Sequence, residues 1–163
     1  MIPLISILIP AYQAEKTIYR CLKSVSEQTN NNYEVIVVDD GSTDKTMSIC
    51  QSFAKNEKLR LYYQDNIGVA ATRQKLINLA AGEYLQFVDA DDWVAPNMIE
   101  MYSGILQNKH YDMVISDFIV NDANHIKYVS QKPQAFTSSA LIRAISSSKM
   151  LGVLWNKLIH KKF

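Results

Sequence analysis

Five short apolar runs, rich in β-branched and aromatic residues, alternate along this chain with segments whose apolar residues recur at helical spacing. Runs of this length and composition are typical of strands buried on both faces, and the alternation indicates parallel strands joined by helices. The predicted strands are Leu4–Ile9, Tyr33–Val38, Leu59–Tyr63, Tyr84–Val88 and Met113–Ser116. The pattern therefore predicts a doubly wound α/β domain with a mainly parallel sheet and helices on both faces.

Four helices are predicted between these strands. The first covers roughly Ala14 to Gln28, with Ile18, Leu22 and Val25 on one face. The second helix is capped by Ser42 or Thr43 and runs to about Lys55, and the third is opened by Asn66 and stopped by Gly82. The first turn of the fourth helix includes Pro96. Its apolar face holds Met98, Met101, Tyr102, Ile105 and Leu106. Beyond Asp117 the pattern weakens, and it predicts a strand at Ile126–Val129, a helix at Ser138–Ser146 and a strand at Val153–His160.

Composition and charge limit the classes of protein to which the chain can belong. Its 163 residues are 48% apolar and 20% charged, which suits one globular domain with a sizeable core. The 17 basic and 16 acidic residues leave a net charge of +1, so we expect no nucleic-acid partner. The apolar start lacks a basic segment and is broken by Pro3 and Pro10, and no run approaches the roughly 18 apolar residues of a membrane span. Because Cys21 and Cys50 are interpreted as reduced thiols, a cytoplasmic protein is predicted.

Polar clusters follow three of the predicted strands, at residues 10–13, 39–44 and 89–92. In open parallel sheets, ligands bind in the crevice outside the carboxyl ends of the strands. A crevice lined by carboxylates is suited to a metal ion together with a phosphorylated ligand such as a nucleotide diphosphate. The positions of the three clusters predict a binding site of this kind.

The cluster after the fourth strand holds three carboxylates within four residues. In extended backbone, Asp89 and Asp91 would point to the same side, about 7 Å apart. Such like charges repel unless a cation lies between them or one carboxylate is protonated, and a hard divalent cation is the natural ligand. The alternative is an acidic loop that only caps the next helix.

Asp39 and Arg73 are two further candidates. Asp39 comes first after an apolar strand, so it is predicted to be the more enclosed residue of the Asp39–Asp40 pair and could accept hydrogen bonds from a base N–H or ribose hydroxyls. The alternative for Asp39 is an ordinary turn, since Asp-Gly sequences are common in turns. Arg73 could bind a phosphate or pair with a carboxylate, and the alternative is a solvated surface side chain.

Four segments taken together resemble the family 2 glycosyltransferases of GT-A fold. They are Ile-Pro-Ala-Tyr-Gln at 9–13, Val-Val-Asp-Asp-Gly-Ser-Thr-Asp at 37–44, Asn-Ile-Gly-Val-Ala-Ala-Thr-Arg at 66–73 and Phe-Val-Asp-Ala-Asp-Asp at 87–92. The segment Trp-Asn-Lys-Leu at 155–158 resembles a later part of the family more loosely. The resemblance implies an inverting enzyme of polysaccharide or cell-surface glycan synthesis that transfers a sugar from a nucleotide diphosphate donor with Mn²⁺ or Mg²⁺.

The resemblance also assigns roles to residues. It implies donor-binding residues Pro10, Ala11, Tyr12, Asp39, Asp40, Gly41, Asn66, Gly68, Arg73, Asp89 and Ala90, and metal ligands Asp91 and Asp92. Within this set Asp39 would bind the base, commonly uracil, while Arg73 would lie near the nucleotide and Asp89 near the ribose or donor sugar.

The chain departs from the family pattern at two places. The family's catalytic base lies in an acidic segment downstream of the metal motif, whereas this chain has no acidic residue between Asp122 and its end at Phe163. Gln13 also replaces the more usual asparagine. We therefore expect the donor-binding portion of a longer enzyme, with residues 1–93 as donor half and 94–163 as the start of the acceptor half. A glycan or lipid-linked acceptor and peripheral membrane association would then depend on the missing part.

Two other classes of protein share parts of this pattern. A phosphoacceptor receiver domain also has an acidic pair after one strand, but here the pair follows the second strand and leaves the first strand unexplained. A sugar nucleotidyltransferase uses a Gly-rich basic loop after its first strand, which residues 10–13 do not provide.

Several other conspicuous residues are interpreted as structural. The isolated residues His110, His125 and His160 lack metal-ligand spacing and are expected to be ordinary histidines. Trp93 is expected to pack on the neighbouring helix or contact an acceptor, and Trp155 to lie in the core. Lys157 is expected either to contact a phosphate or to be a solvated charge.

Overall fold

The computed structural model describes residues 4–55, 57–107, 109–122, 125–132 and 137–162. Pro3 and Phe163, which the sequence analysis named, lie outside the described residues. The elements are β1 Ile5–Ala11, α1 Ile18–Ser26, β2 Tyr33–Asp40, α2 Thr46–Phe53, β3 Leu59–Gln64, α3 Val69–Leu79, β4 Tyr84–Phe87, α4 Met98–Leu106, β5 Met113–Ile115, β6 Phe118–Asn121, β7 Ile126–Val129, α5 Ser138–Ser146 and β8 Lys157–His160.

Six strands form the main sheet, in the order β3-β2-β1-β4-β8-β5, and β6 and β7 form a separate antiparallel hairpin. Strands β1 to β4 are parallel, whereas β8 pairs antiparallel with both β4 and β5. The chain leaves β1 toward β2 and β3 on one side and later returns to place β4 on the other. The gap between β1 and β4 is therefore the point where the strand order reverses, which is where this kind of fold binds ligands.

Helices cover both faces of the sheet, as predicted. Ile7 and Ile9 of β1 point to the face covered by α1, α2 and α4, where Leu22 is fully buried. Leu8 points to the opposite face and packs with Leu76 of α3. Because successive strand residues alternate between faces, a strand buried on both sides is a continuous apolar run. The predicted doubly wound, mainly parallel fold is confirmed.

Helices α1 and α2 begin later than the sequence predicted. Helix α1 begins at Ile18 rather than Ala14, because the Ala14 carbonyl first accepts the amides of Thr17 and Ile18 in a tight turn. Helix α2 begins at Thr46, and its first free amide is bound by Asp44 Oδ1 at 2.9 Å rather than by Ser42 or Thr43. The prediction of Ser42 or Thr43 as the cap is wrong because both side chains bond elsewhere.

The predicted apolar face of α4 is confirmed in part, since Met98, Tyr102 and Leu106 pack against the core. Ile99 and Tyr102 are buried, whereas Met101 is 59% exposed and Ile105 is 42% exposed. The amide of Ile99 donates to Gln28 Oε1 at 3.1 Å, so a contact from the segment after α1 fixes the rotation of the helix. Pro96 lies in the turn before the helix and not in its first turn.

The last part of the chain inserts a short strand into the main sheet. Strand β8 covers only Lys157–His160 of the predicted Val153–His160. Lys157 is buried, and its Nζ donates to Leu151 O at 2.8 Å, Val153 O at 2.5 Å and Asn156 Oδ1 at 2.7 Å. Burial lowers the pKa of Lys157. Both expectations for Lys157 are wrong, since its ammonium neither faces solvent nor is free for a phosphate.

Trp155 is half-buried rather than a full core residue, and its ring lies edge-on to Phe118 with centroids 4.8 Å apart. In the described part of the chain, every helix is too short or too polar to cross a membrane.

Candidate functional site

The loops that follow the parallel strands meet at the carboxyl edge of the sheet, around the gap between β1 and β4. The side chain of Gln13 joins the first loop to the second, with Nε2 3.0 Å from Thr43 Oγ1. Arg73 of α3 reaches the loop after β4, with Nη2 3.0 Å from Asp89 Oδ1. The structure thus brings the three predicted polar clusters to one edge, as the strand order requires.

Asp39 lies at the end of β2, and its carboxylate is incompletely bonded. Asp39 is 0% exposed and Asp40 is 4% exposed, so both residues of the pair are buried and Asp39 is slightly the more enclosed. Oδ1 of Asp39 accepts the Ser42 amide at 3.0 Å, whereas its Oδ2 is buried without a partner among the described residues. A buried oxygen without a partner costs free energy until a ligand supplies a donor. Asp39 therefore retains one free acceptor at this edge.

Asp40 differs because protein donors occupy its carboxylate. Its Oδ1 accepts Gln64 Nε2 at 2.7 Å and the Ile67 amide at 3.0 Å, and its Oδ2 accepts the Gly68 amide at 2.9 Å. Burial acts to raise the pKa of Asp40, but these hydrogen bonds outweigh it and hold the pKa below its usual value. Asp40 thus holds the loop before α3 in place.

Gly41 and Gly68 shape the two loops that Asp40 connects. Both have positive φ, +77° and +88°, which favours glycine. A Cβ on Gly41 would lie 2.8 Å from the backbone nitrogen of Asn66, so no larger residue fits without a shift of that backbone. Gly41 therefore allows close approach of backbone to backbone, whereas Gly68 has open space around it and is favoured by its positive φ alone.

Arg73 and Asp89 form an ion pair beside the gap between β1 and β4. Each side chain is 30% exposed. The Nε atom of Arg73 is buried without a hydrogen-bond partner among the described residues. Of the readings that the sequence left open for Arg73, the structure shows the pairing with a carboxylate.

The acidic residues 89–92 form a tight turn. The Asp92 amide donates to the Asp89 carbonyl at 3.0 Å, so the expected extended backbone, with Asp89 and Asp91 facing the same side, is wrong. The physical reason is that β4 ends before the acids and that Arg20 Nη2 donates to the Asp91 carbonyl at 2.7 Å. Burial, and then the charges of Asp91 and Asp89, raise the pKa of Asp92. The turn therefore concentrates negative charge.

The donor set of this turn fits a hard divalent ion that also has ligands from elsewhere. Across the described residues, no group of three or more His, Cys, Asp or Glu side chains is arranged to hold a metal ion alone. Asp91 is exposed and Asp92 is half-buried. One or two carboxylates are enough where substrate phosphates complete the coordination of Mg²⁺, and Mn²⁺ takes the same oxygen ligands. The residues present therefore fit a cation shared with a diphosphate.

Arg20 of α1 and Gln28, two residues after that helix, hold the acidic turn and the segment that follows it, and the sequence analysis missed both. The guanidinium of Arg20 lies 3.9 Å from the ring centroid of Trp93, in addition to its bond to the Asp91 carbonyl. Gln28 Nε2 donates to the Ala95 carbonyl at 2.8 Å. No local pattern could have found these contacts, because Arg20 lies on the polar side of its helix and its partner is 71 residues away.

The remaining predicted donor residues lie around the first and fourth loops. Ala11 is buried at the end of β1, whereas Pro10 and Ala90 are half-buried. Tyr12 is 53% exposed and is the large aromatic side chain of the first loop. An exposed aromatic ring beside a polar crevice is available to stack on a base.

A cavity of about 300 Å³ lies at the opposite edge of the sheet, lined by Gly82, Glu83, His160, Lys161 and Lys162. Glu83 Oε1 there lies 3.5 Å from His110 Nδ1 and 3.6 Å from His160 Nε2. This cavity shares no residue with the carboxyl edge, so its volume says nothing about the candidate site.

Comparison with known proteins shows that the sequence of this chain matches one protein family and several of its members. A profile of the family described as Glycosyl transferase family 2 matches residues 6–162. Glycosyltransferase GlyG of Streptococcus pneumoniae serotype 4 is 38% identical over 135 residues, which are 80% of this chain and 45% of GlyG. The chain spans about half the length of the curated relatives that it matches over most of its own length, 47% and 45% for two of them.

Solved structures show the same fold. The crystal structure of S. aureus TarS 1-349 superposes with a TM-score of 0.78 at 25% identity, covering 96% of this chain and 47% of that one. Its complex with UDP-GlcNAc gives a TM-score of 0.66 at 30% identity over 68% of this chain and 33% of that one. The mannosyltransferase PcManGT of Pyrobaculum calidifontis, in complex with GDP-Man and Mn²⁺, gives 0.61 at 26% identity over 68% and 34%.

Proposed function

Because the chain belongs to glycosyl transferase family 2, we propose that its carboxyl edge binds the nucleotide diphosphate of a UDP-sugar, as the donor site of a glycosyltransferase. The observation that carries this proposal is the buried Oδ2 of Asp39, which has no partner among the described residues and lies at the end of β2. The receiver and nucleotidyltransferase alternatives receive no support from the relatives.

Asp39 suits the recognition of uracil. The N3 of uracil carries a hydrogen and can donate to a carboxylate, whereas the N3 of cytosine is itself an acceptor and would face Asp39 with like polarity. The exposed ring of Tyr12 on the adjacent loop would stack on the base. The TarS complex with UDP-GlcNAc, a relative of the same fold, supports a uracil nucleotide.

Arg73 and Asp89 serve the rest of the donor. A guanidinium beside the crevice can bind diphosphate oxygens, and its buried Nε already lacks a protein partner. Asp89 holds Arg73 in place and can accept hydroxyl hydrogens of the ribose or the donor sugar. Asp40, whose oxygens are occupied, contributes by holding the loop before α3.

Asp91 and Asp92 would hold a divalent cation, Mn²⁺ or Mg²⁺. When bound, such an ion neutralises the charge that develops on a departing diphosphate. The PcManGT complex with GDP-Man and Mn²⁺ supports this assignment. The hydrogen bond from Arg20 Nη2 to the Asp91 carbonyl holds the acidic turn in one conformation.

The reaction that such a donor site serves is an inverting displacement at the anomeric carbon. The acceptor hydroxyl attacks the face opposite the diphosphate and loses its proton to a general base. We assign that base to no residue of this chain, because no acidic residue follows Asp122 in the sequence. On this proposal residues 1–93 form the donor half and 94–163 begin the acceptor half, which takes a glycan or lipid-linked hydroxyl at the membrane surface.

Calorimetric titration with UDP, with and without Mn²⁺, tests the proposal. We expect UDP to bind the chain more tightly with Mn²⁺ present, and Asp91→Asn to remove that difference. Asp112→Asn is the matched control, because Asp112 is also exposed but lies at the opposite edge of the sheet. A folded chain that binds no UDP under either condition would refute the donor site, and an Asp91→Asn variant with full metal dependence would refute the metal assignment.

A further inference from the structure

The side chain of Gln13 forms a clamp between the loops after β1 and β2. Its Oε1 accepts the amides of Thr43 at 3.0 Å and Asp44 at 3.2 Å. Its Nε2 donates to Thr43 Oγ1 at 3.0 Å, and its backbone amide donates to Ser42 Oγ at 3.0 Å. One residue of the first loop therefore holds three consecutive residues of the second.

The clamp is connected directly to the Asp39 carboxylate. Ser42 Oγ accepts the backbone amide of Gln13, and the backbone amide of Ser42 donates to Asp39 Oδ1 at 3.0 Å. Because Oδ1 is held in this way, the orientation of the carboxylate is fixed and Oδ2 is the oxygen left without a partner. The direction in which Oδ2 points thus depends on the position of Ser42. The backbone amide of Gln13 holds Ser42 directly, and the Gln13 side chain holds it through the bonds to Thr43, the next residue in the chain.

Gln13 occupies an unfavourable backbone conformation. Its φ is +50°, in the left-handed region where glycine, asparagine and aspartate are more common than other residues. Strain of this kind persists only where surrounding contacts over-determine the conformation, and it is concentrated at functional sites. The hydrogen bonds of Gln13 to residues 42–44 are the contacts that hold it.

We infer that Gln13 is a positioning residue that sets the Asp39 carboxylate for recognition of the donor base, an inference that rests on the proposed nucleotide site. The length of the side chain explains the choice of glutamine. Asparagine would accept φ of +50° at lower cost, but its amide is one methylene shorter and cannot bond Thr43 and Asp44 from the same backbone position. Glutamine therefore has a less favourable backbone conformation at this position than asparagine would have, but its side chain is long enough to bond both amides.

Gln13→Asn separates the two properties of the residue. This variant loses the side-chain bonds to Thr43 and Asp44 and keeps the backbone bond to Ser42 Oγ. Because the backbone strain is relieved at the same time, we expect the melting temperature to stay unchanged or to rise. The affinity for UDP should fall about tenfold, the effect of misplacing one hydrogen bond to a charged group. The affinity for CDP should not change, because cytosine has no N3 hydrogen to give to Asp39, so the preference for UDP over CDP becomes smaller.

Gln13→Gly is a second variant that tests the role of the Gln13 side chain. Glycine adopts positive φ freely and has no side-chain amide, although it keeps the backbone amide that donates to Ser42 Oγ. This variant should therefore show the same smaller preference for UDP as Gln13→Asn. Gln107→Asn, an exposed glutamine at the far end of α4, is the control and should change neither property.

Calorimetry with UDP and CDP on the full chain, beside thermal unfolding, decides among the outcomes. Unchanged preference for UDP in both Gln13 variants, or a parallel loss for UDP and CDP together with a lower melting temperature, would overturn the inference and leave the donor site intact. A wild-type chain that binds neither nucleotide would instead refute the proposed site on which the inference rests.

Discussion

Strand β2 carries a carboxylate near each end, and the two differ in how completely they are bonded. At the amino edge, Glu34 Oε1 accepts Ser6 Oγ at 2.6 Å and the Ala81 amide at 2.7 Å, and Oε2 pairs with Arg60 at 2.6 Å. At the carboxyl edge, Asp39 has the Ser42 amide alone and an unpaired Oδ2. The same strand thus ends in one saturated and one unsaturated acid.

The two carboxylates of β2 therefore have different roles, one in stability and one in ligand binding. A saturated buried carboxylate contributes to stability, because its removal leaves several donors without partners. An unsaturated one costs free energy in the empty protein and recovers it when a ligand donates. Asp40, next to Asp39 and saturated, belongs with Glu34 in this respect. Proximity to a site therefore does not make a residue part of its binding surface.

The largest expected effect is the loss of stability in Glu34→Ala. The change leaves the Ser6 hydroxyl, the Ala81 amide and the Arg60 guanidinium without their partner, so the free energy of unfolding should fall by about 3 kcal/mol. Urea unfolding at neutral pH measures it, and the affinity for UDP should not change. Glu57→Ala at an exposed position is the control, with less than about 0.5 kcal/mol expected. Equal losses in both variants would show that the Glu34 network does not hold the amino edge.

Asp39→Asn should produce the reverse pattern. The affinity for UDP should fall about 30-fold, equivalent to about 2 kcal/mol for one hydrogen bond to a charged acceptor. The free energy of unfolding should stay the same or rise, since a buried charge with one unpaired oxygen is removed. Calorimetry and urea unfolding of one preparation test both statements. A stability loss as large as that of Glu34→Ala would contradict the contrast between the two ends of β2.

Asp40→Asn should lower stability by about 1–2 kcal/mol at neutral pH, by weakening the bonds to the Ile67 and Gly68 amides. The folded protein holds the pKa of Asp40 below its usual value, about 3.9 in an unfolded chain. Its contribution is therefore fully present above pH of about 4 and is lost as the pH falls through the folded pKa. The gap between wild type and variant should close in acid, as unfolding curves from pH 7 to pH 3 would show. A gap that is constant with pH would exclude this role.

Cysteine labelling should show the smallest effect. Burial raises the pKa of Cys21 and of Cys50 to about 12, so both thiols are protonated at pH 8 and poorly reactive in the folded chain. Iodoacetamide should label both only in denaturant. Partial denaturant should expose the thiols earlier in Glu34→Ala than in Asp39→Asn, as an independent measure of the same contrast. Rapid labelling of the native wild type would contradict the burial of the thiols.

Local patterns predicted much of this molecule. The five apolar runs from Leu4 to Ser116 all lie at strands of the main sheet, and the clusters at residues 10–13, 39–44 and 89–92 meet at one edge. The strands were predicted correctly because burial on two faces requires continuous apolar runs. The common edge was predicted correctly because parallel strands place their carboxyl ends together. The cap of α2, the extended form of the acidic turn, and Met101 and Ile105 in the buried face of α4 were wrong. Asp44, Arg20 and Gln28 decide these features through contacts distant in sequence or outside the pattern.

The sequence by itself determined the alternation of strands and helices, the strand ends at which polar side chains collect, and the family of the chain. Only the tertiary structure decided which acid is free and which is occupied, since Asp39 and Asp40 are neighbours of the same type. Hydrogen bonds from residues 3 to 28 positions away make that distinction. Likewise, the reach of Gln13 across about 30 residues to Thr43 has meaning only once two loops lie side by side. Secondary structure follows from local chemistry, whereas the saturation of a polar group depends on everything that folds around it.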